Sequence, residues 1–189
     1  MTINYKKLLL TAATAAAALS ALGSDVGPRH QINVETRLVS MMDENLRDKG
    51  LEFGWGVGVE AVFFGQGPGQ PALTFGAQYD QLECDGHVVK LKTYGFQVGA
   101  IGQFDHSREP ERAQLLWRSS VGYFWSITEG PGKKDETGIG FEIGLQYGPL
   151  RATKKPSVAI LYSIRPDAFG ERNVRLIGLL SFPVSFGGE

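Results

Sequence analysis

The chain has 189 residues, of which 25 are glycine and 11% are aromatic, and its formal net charge is -1. This length suits a single domain, and the balanced charge excludes the basic excess expected of a nucleic-acid-binding protein. The one cysteine, Cys84, excludes an intrachain disulfide and any zinc site built from several cysteines.

The N-terminal residues have the pattern of a secretory signal. Lys6 and Lys7 precede a mostly apolar, alanine-rich stretch at 8–22, and Ala21 and Gly23 are small residues of the kind that signal peptidase recognises. We therefore predict a signal peptide over 1–23 and a mature domain over 24–189. The alternative is a retained anchor, which the short apolar stretch disfavours because a spanning helix needs about 20 apolar residues.

Residues 51–63 show the clearest strand pattern in the chain. Every odd-numbered position is apolar, and the even-numbered positions from 52 to 60 are glycine with a glutamate at each end. Alternation with a period of two is typical of a β-strand, whose successive side chains point to opposite faces. Bare glycine is a poor face toward water but suits a crowded barrel interior. We therefore predict that the large side chains face lipid and the small and polar ones face the interior.

The same alternation recurs along the chain except at 158–163, which is apolar on both faces, and turn-forming residues lie between the segments. A short helical turn is predicted at 41–49, in the first connection. The fold class expected is all-β, an eight-stranded antiparallel up-and-down transmembrane β-barrel. Its strands are predicted at 31–39, 51–64, 72–84, 87–104, 113–127, 138–147, 157–164 and 173–186.

The outward positions carry many aromatic side chains, which favour the headgroup level of a membrane. We predict that these residues face lipid or form interfacial girdles; the alternative is the aromatic core of a soluble protein. They are Trp55, Phe75, Tyr94, Phe96, Trp117, Tyr123, Trp125, Phe141, Tyr147, Phe182 and Phe186.

The inward positions carry acids and bases together, and charges held inside a lipid-surrounded barrel need partners. We predict a paired network that plugs the interior, centred on Glu60, Arg118 and Glu142; the alternative is a narrow, gated path for water or ions. The polar interior residues predicted are Glu35, Arg37, Glu60, Gln78, Gln97, Arg118, Glu142, Gln146 and Arg175, and Asp80 falls on the same face.

The register of one hairpin is predicted from its turn. Asp85-Gly86 is a strong signal for a two-residue type I′ turn, which would pair Cys84 with His87. That register places Gly76 opposite Gly95, so that the faces assigned by alternation match across the pair.

Residues 31–186 resemble small eight-stranded outer-membrane β-barrel proteins in strand count, alternation, aromatic strand ends and signal peptide. The chain departs from that family at its end, where Phe186 is followed by Gly187, Gly188 and Glu189 instead of closing on an aromatic residue. The resemblance implies a location in the bacterial outer membrane, contact with outer-membrane lipid, and insertion by the barrel-assembly machinery.

No catalytic residues, cofactor or metal site are predicted. Barrel enzymes that deacylate lipid A are similar in scaffold and use a histidine two residues before a serine, a spacing that does not occur here; His106 and Ser107 are adjacent and would point apart on a strand. The predicted function is therefore a structural or interaction role, with an unidentified surface or periplasmic protein partner. The alternatives are a lipid-modifying barrel enzyme and a soluble periplasmic barrel that binds an apolar ligand.

Overall fold

The computed structural model describes residues 30–65, 70–84, 89–105, 109–151 and 155–184. The predicted signal peptide and Phe186 lie outside these ranges. The elements are β1 His30–Met41, α1 Glu44–Asp48, β2 Phe53–Phe63, β3 Ala72–Glu83, β4 Lys90–Gln103, β5 Gln114–Glu129, β6 Glu136–Gly148, β7 Ser157–Ala168 and β8 Glu171–Val184.

The eight strands form one closed barrel in sequence order, and every neighbouring pair is antiparallel. Pairing of β1 with β8 closes it: Val34 lies opposite Val59 of β2 on one side and opposite Phe182 of β8 on the other. Closure leaves no strand edge unpaired, as a barrel surrounded by lipid requires. The predicted fold class is confirmed, and so is the short helix in the first connection.

Side chains alternate between the interior and the outer surface along each strand. On β1, Glu35 and Arg37 are buried, whereas Val34 and Leu38 are exposed. The outer surface holds the large apolar side chains and the interior holds the charged ones, which is the reverse of a soluble protein.

The helix end of the barrel is the end that carries α1 and the reversal between β7 and β8. Asp43 caps α1 by accepting a hydrogen bond from the backbone N–H of Leu46 at 3.3 Å. No helix within the described ranges is long and apolar enough to cross a membrane. Leu46 and Leu51 are fully buried over the barrel mouth. They belong to a larger buried apolar cluster that also extends along the inner faces of β7 and β8. We call its members at this mouth the helix-end layer: Met41, Leu46, Leu51, Leu82, Leu91 and Ala168.

The terminal end is the opposite end, where β1 begins and β8 ends. A second apolar cluster closes it, and Phe64 packs against this cluster. We call this set the terminal-end layer: Val62, Ala72, Ile101, Leu116 and Leu150. Both mouths of the barrel are therefore lined by buried apolar side chains, and the polar interior lies between them.

Leu46→Ala is expected to destabilise the folded protein by about 2–5 kcal/mol, because it removes a fully buried side chain from the helix-end layer. The measurement is urea unfolding of the barrel in detergent micelles. Arg47→Ala is the matched control, since Arg47 lies on the same helix and is exposed. If both variants lose the same unfolding free energy, packing in the helix-end layer does not stabilise the barrel.

The predicted register of the β3–β4 hairpin is wrong by two residues. Gly76 lies opposite Gln97 and Glu83 lies opposite Lys90, where the two-residue turn required Gly76 opposite Gly95. Beyond this pair, the backbone N–H of Cys84 donates to the carbonyl of Val89 at 3.0 Å. A slip of two residues keeps every side chain on its face, and alternation therefore did not reveal the error.

The position of the last turn also differs from the prediction. The sequence pattern of Pro166-Asp167 predicts a turn after the strand at 157–164, but both residues lie within β7, next to a register shift between Arg165 and Ala168. The chain reverses at Phe169 and Gly170, whose φ angles are 54° and 78°. Positive φ at both central residues is the geometry of a tight type I′ hairpin. The longer β7 brings Arg165 into the barrel.

Candidate functional site

Eight charged side chains are buried in the barrel, among the residues that the structure describes, and we call them the charged belt. Seven of the eight strands contribute, and four arginines face four carboxylates, so the formal charges cancel. The members are Glu35, Arg37, Glu60, Asp80, Arg118, Glu142, Arg165 and Arg175.

Arg37 is the centre of the charged belt and binds three carboxylates from three strands. Its Nε donates to Asp80 Oδ1 at 3.0 Å and its Nη1 donates to Glu35 Oε2 at 3.4 Å. Its Nη2 donates to Glu142 Oε1. The guanidinium has no exposed surface, so these charge-assisted bonds replace the water that it loses on burial.

Arg118 forms the part of the belt nearer the terminal end. Its Nη2 lies 2.8 Å from Glu35 Oε1 and 2.8 Å from Glu60 Oε1. Its Nη1 donates to Gln146 Oε1 at 3.4 Å. Because Glu35 also binds Arg37, these residues and the Arg37 cluster form one continuous network.

Arg165 and Arg175 form the part nearer the helix end. Arg175 Nη1 donates to Asp80 Oδ2 at 3.4 Å, and its other nitrogens donate to Asn173 Oδ1 at 2.7 Å and Thr93 Oγ1 at 2.6 Å. Arg165 Nη2 donates to Glu142 Oε1 and lies 3.7 Å from Asp80 Oδ2. Asp80 and Glu142 thus join both arginines to Arg37.

Phe124 is a fully buried aromatic side chain beside the belt. The Arg165 guanidinium stacks over its ring at 3.7 Å from the centroid. The ring lies against inward glycines: a Cβ on Gly122 would be 2.8 Å from the Phe124 ring, and one on Gly140 would be 2.9 Å from it. These glycines are therefore needed because the interior is crowded.

All nine residues predicted for the polar interior are buried. Seven of them take part in the belt or contact it directly, and Gln97 accepts a hydrogen bond from Ser120 at 3.2 Å. Sequence reasoning missed Arg165 and Phe124 and left Asp80 out of the network. Extending the alternation of β7 through Pro166 would have identified Arg165, because it shares the inward face of Ser163.

The predicted lipid-facing aromatic residues lie on the outer surface, except for Phe186, which the structure does not describe. Several form ring contacts across neighbouring strands: the centroids of Tyr79 and Tyr94 are 4.9 Å apart, and those of Trp55 and Tyr79 are 5.8 Å apart. The ten described residues are Trp55, Phe75, Tyr94, Phe96, Trp117, Tyr123, Trp125, Phe141, Tyr147 and Phe182, all exposed or half-buried.

The chemistry available to the belt is ion pairing. Each of its carboxylates contacts at least one arginine, which leaves no carboxylate without a counter-ion. Within the described part of the chain, no group of three His, Cys, Asp or Glu side chains stands where it could hold a metal ion. The belt is therefore arranged as a self-neutralising plug.

Solved structures of two bacterial surface proteins align with this chain. Neisserial surface protein A aligns with a TM-score of 0.51 at 16% identity, covering 83% of this chain and 96% of that one. Ail of Yersinia pestis aligns with a TM-score of 0.42 in its crystal structure, at 12% identity over 82% of this chain and 94% of that one. The backbone structure of Ail in a phospholipid bilayer nanodisc aligns with a TM-score of 0.48, at 9% identity over 82% of this chain and 99% of that one.

No protein-family model and no curated protein sequence matches the chain. At 16% identity, the likeness to the neisserial protein concerns the fold. The predicted resemblance to small eight-stranded outer-membrane β-barrels is confirmed at that level: this chain has their closed, antiparallel, up-and-down barrel.

Proposed function

We propose that this chain is an integral protein of the bacterial outer membrane with a non-enzymatic, structural or interaction role. The observation that carries the proposal is the reversed polarity of the barrel. Large apolar side chains such as Ile139, 76% exposed, and Leu38, 73% exposed, cover the outside, while eight charged side chains are buried within. Water would favour the opposite arrangement, whereas lipid favours this one.

The spacing of the outward aromatic residues supports a membrane-spanning position. Trp117 and Trp125 are eight residues apart on β5. At ~3.3 Å per residue this separation is about 26 Å along the strand, and a tilt of ~40° reduces it to about 20 Å across the membrane. Beyond Tyr79 and Tyr94, the next outward residues toward the helix end are polar: Gln81, Glu83, Lys90 and Lys92.

The filled interior favours a structural role over transport. An eight-stranded barrel is just wide enough for side chains to fill, and here the charged belt lies between two apolar layers. On β3 the order is Ala72 of the terminal-end layer, Asp80 of the belt and Leu82 of the helix-end layer. A solute would have to displace all three sets of side chains to pass.

The two alternatives receive less support. A soluble barrel that binds an apolar ligand would line its cavity with the aromatic side chains, but Trp55 and Phe75 are 52% and 51% exposed on the outside. A lipid-modifying enzyme needs a polar catalytic pair, and the spacing of a histidine two residues before a serine does not occur in the sequence. Partners of the proposed role are outer-membrane lipid, the assembly machinery during insertion, and a protein bound at the barrel ends.

The first experiment is fractionation of the cell envelope, followed by electrophoresis of unheated and boiled samples. We expect the protein in the outer-membrane fraction, with a change in migration after boiling, because a folded barrel resists mild detergent. Recovery from the soluble periplasm would overturn the proposal and reverse the roles of the two faces.

Val121→Arg tests the lipid-facing surface directly. Val121 lies midway between Trp117 and Trp125 on the outside of β5 and is 48% exposed. We expect a loss of about 2–4 kcal/mol in unfolding free energy in lipid vesicles, the cost of arginine at the midplane of a membrane barrel. In a water-soluble protein, the same surface change would be worth about 0.5 kcal/mol or less.

Val121→Leu is the matched control for that measurement, because it keeps the position apolar. We expect its unfolding free energy to stay near that of the unmodified protein. If Val121→Arg and Val121→Leu unfold at the same urea concentration, the outer surface does not face lipid.

A further inference from the structure

Several buried polar atoms beside the charged belt have no hydrogen-bond partner among the described protein atoms. Both ends of the Gln78 amide are unpaired, and so are Glu142 Oε2, Ser163 Oγ, and Nε and Nη1 of Arg165. Burying such a group without a partner destabilises the fold, because the group loses its hydrogen bonds to water. A dry interior would leave these six atoms, on four side chains, without hydrogen bonds.

We propose that the charged belt holds ordered water molecules at two internal sites, one at Gln78 and one at Glu142, Ser163 and Arg165. The inference goes beyond the proposed role of the protein, since it concerns what fills the barrel between the two apolar layers. It rests on the placement of the unpaired atoms and on the charges around them.

The Gln78 site is flanked by positions without side chains. Gln78 lies opposite Gly58 on β2 and opposite Gly95 on β4, and the next inward residue of its own strand is Gly76. Gln78 is 7% exposed, and no side chain stands directly opposite it on either neighbouring strand. Its N–H groups can donate to water and its carbonyl can accept from it.

The second site brings donors and acceptors together. Ser163 lies directly opposite Glu142 across β6 and β7, and Arg165 is the next inward residue on β7. Arg165 offers N–H donors, Glu142 Oε2 offers an acceptor, and the Ser163 hydroxyl offers both. A water molecule that accepts from Arg165 and donates to Glu142 would have the two to four polar partners that buried water takes.

Water fits these sites better than an ion does. The four arginines and four carboxylates of the belt already cancel, so an added ion would leave an uncompensated charge in a buried environment. The Gln78 amide is neutral. The helix-end and terminal-end layers separate both sites from bulk solvent, so water held there exchanges more slowly than surface hydration.

The test is water-selective NMR on the full-length, ¹⁵N-labelled, folded barrel in detergent micelles. Rotating-frame cross-peaks separate a nearby water from chemical exchange by their sign. We expect dipolar water cross-peaks at the Gln78 side-chain amide and at Arg165 Nε–H, with Gln78→Met identifying the amide signals by their loss. Absence of water cross-peaks at both groups would overturn the proposal.

The thermal midpoint of Gln78→Met gives a second, independent test. If the amide binds water, replacing it with methionine leaves the midpoint unchanged or lowers it. If the amide is dry and unpaired, the substitution removes a buried polar group and raises the midpoint, which contradicts the Gln78 site. Gln97→Met is the matched control, because the Gln97 amide already accepts from Ser120, and we expect its midpoint to fall.

Discussion

Arg37→Met is expected to destabilise the folded barrel by about 3–5 kcal/mol, the usual cost of removing one partner from a buried ion pair. Arg37 binds Glu35, Asp80 and Glu142, so its loss leaves the charged belt with three arginines against four carboxylates. The uncompensated charge is buried away from bulk solvent, and methionine offers it no hydrogen bonds. The measurement is urea unfolding in lipid vesicles, followed by tryptophan fluorescence.

Two further variants separate the effect of charge from the effect of volume. Arg37→Met combined with Asp80→Asn restores a neutral belt, and we expect it to recover part of the lost stability. Arg112→Met is the exposed control: Arg112 pairs with Glu109 at 3.0 Å, but both side chains are more than two-thirds exposed, and such pairs contribute ~0–1 kcal/mol. If Arg37→Met costs no more than Arg112→Met, the belt is not a structural plug.

Gly95→Ala is expected to destabilise the barrel by about 1–3 kcal/mol, although it adds a single methyl group. A Cβ at Gly95 would overlap the Phe124 ring. The ring has little room to move, because its other edges pack against Gly122 and Gly140 and the Arg165 guanidinium covers its face. The yield of folded, heat-modifiable barrel and its urea midpoint are the quantities to compare.

Gly178→Ala is the matched control for Gly95→Ala. Gly178 lies on β8 at an outward position, and its added Cβ would lie 3.9 Å from Leu38 Cβ, an ordinary contact. We expect no loss there. Combining Gly95→Ala with Phe124→Leu makes room for the methyl group, so the double variant should be more stable than the sum of the two single changes predicts. If the stability losses of the two single changes simply add in the double variant, a clash with the Phe124 ring is not what destabilises Gly95→Ala.

The faces of the strands were predictable because they follow from a local property. In an extended chain, residues two apart share a face whatever the rest of the fold does. The glycines of β2, with Trp55 and Val57 among them, therefore indicated a crowded interior and a lipid-facing surface from the sequence alone. The same rule placed Arg37, Arg118 and Glu142 on one side of the barrel wall, although these residues are far apart in the chain.

The sequence by itself determined the eight strands, the choice of interior and outer face in the seven that alternate, and the presence of acids and bases inside. Only the tertiary structure decided which charges meet, because pairs such as Arg37 with Glu142 depend on register and on closure of β1 against β8. The alternation of side chains does not determine the register, because a slip of two residues leaves every side chain on the same face. The β3–β4 hairpin is an example. Arg165 was missed because its strand was predicted to end at 164. In the structure β7 continues through Pro166 to Ala168, and the chain reverses at Phe169 and Gly170.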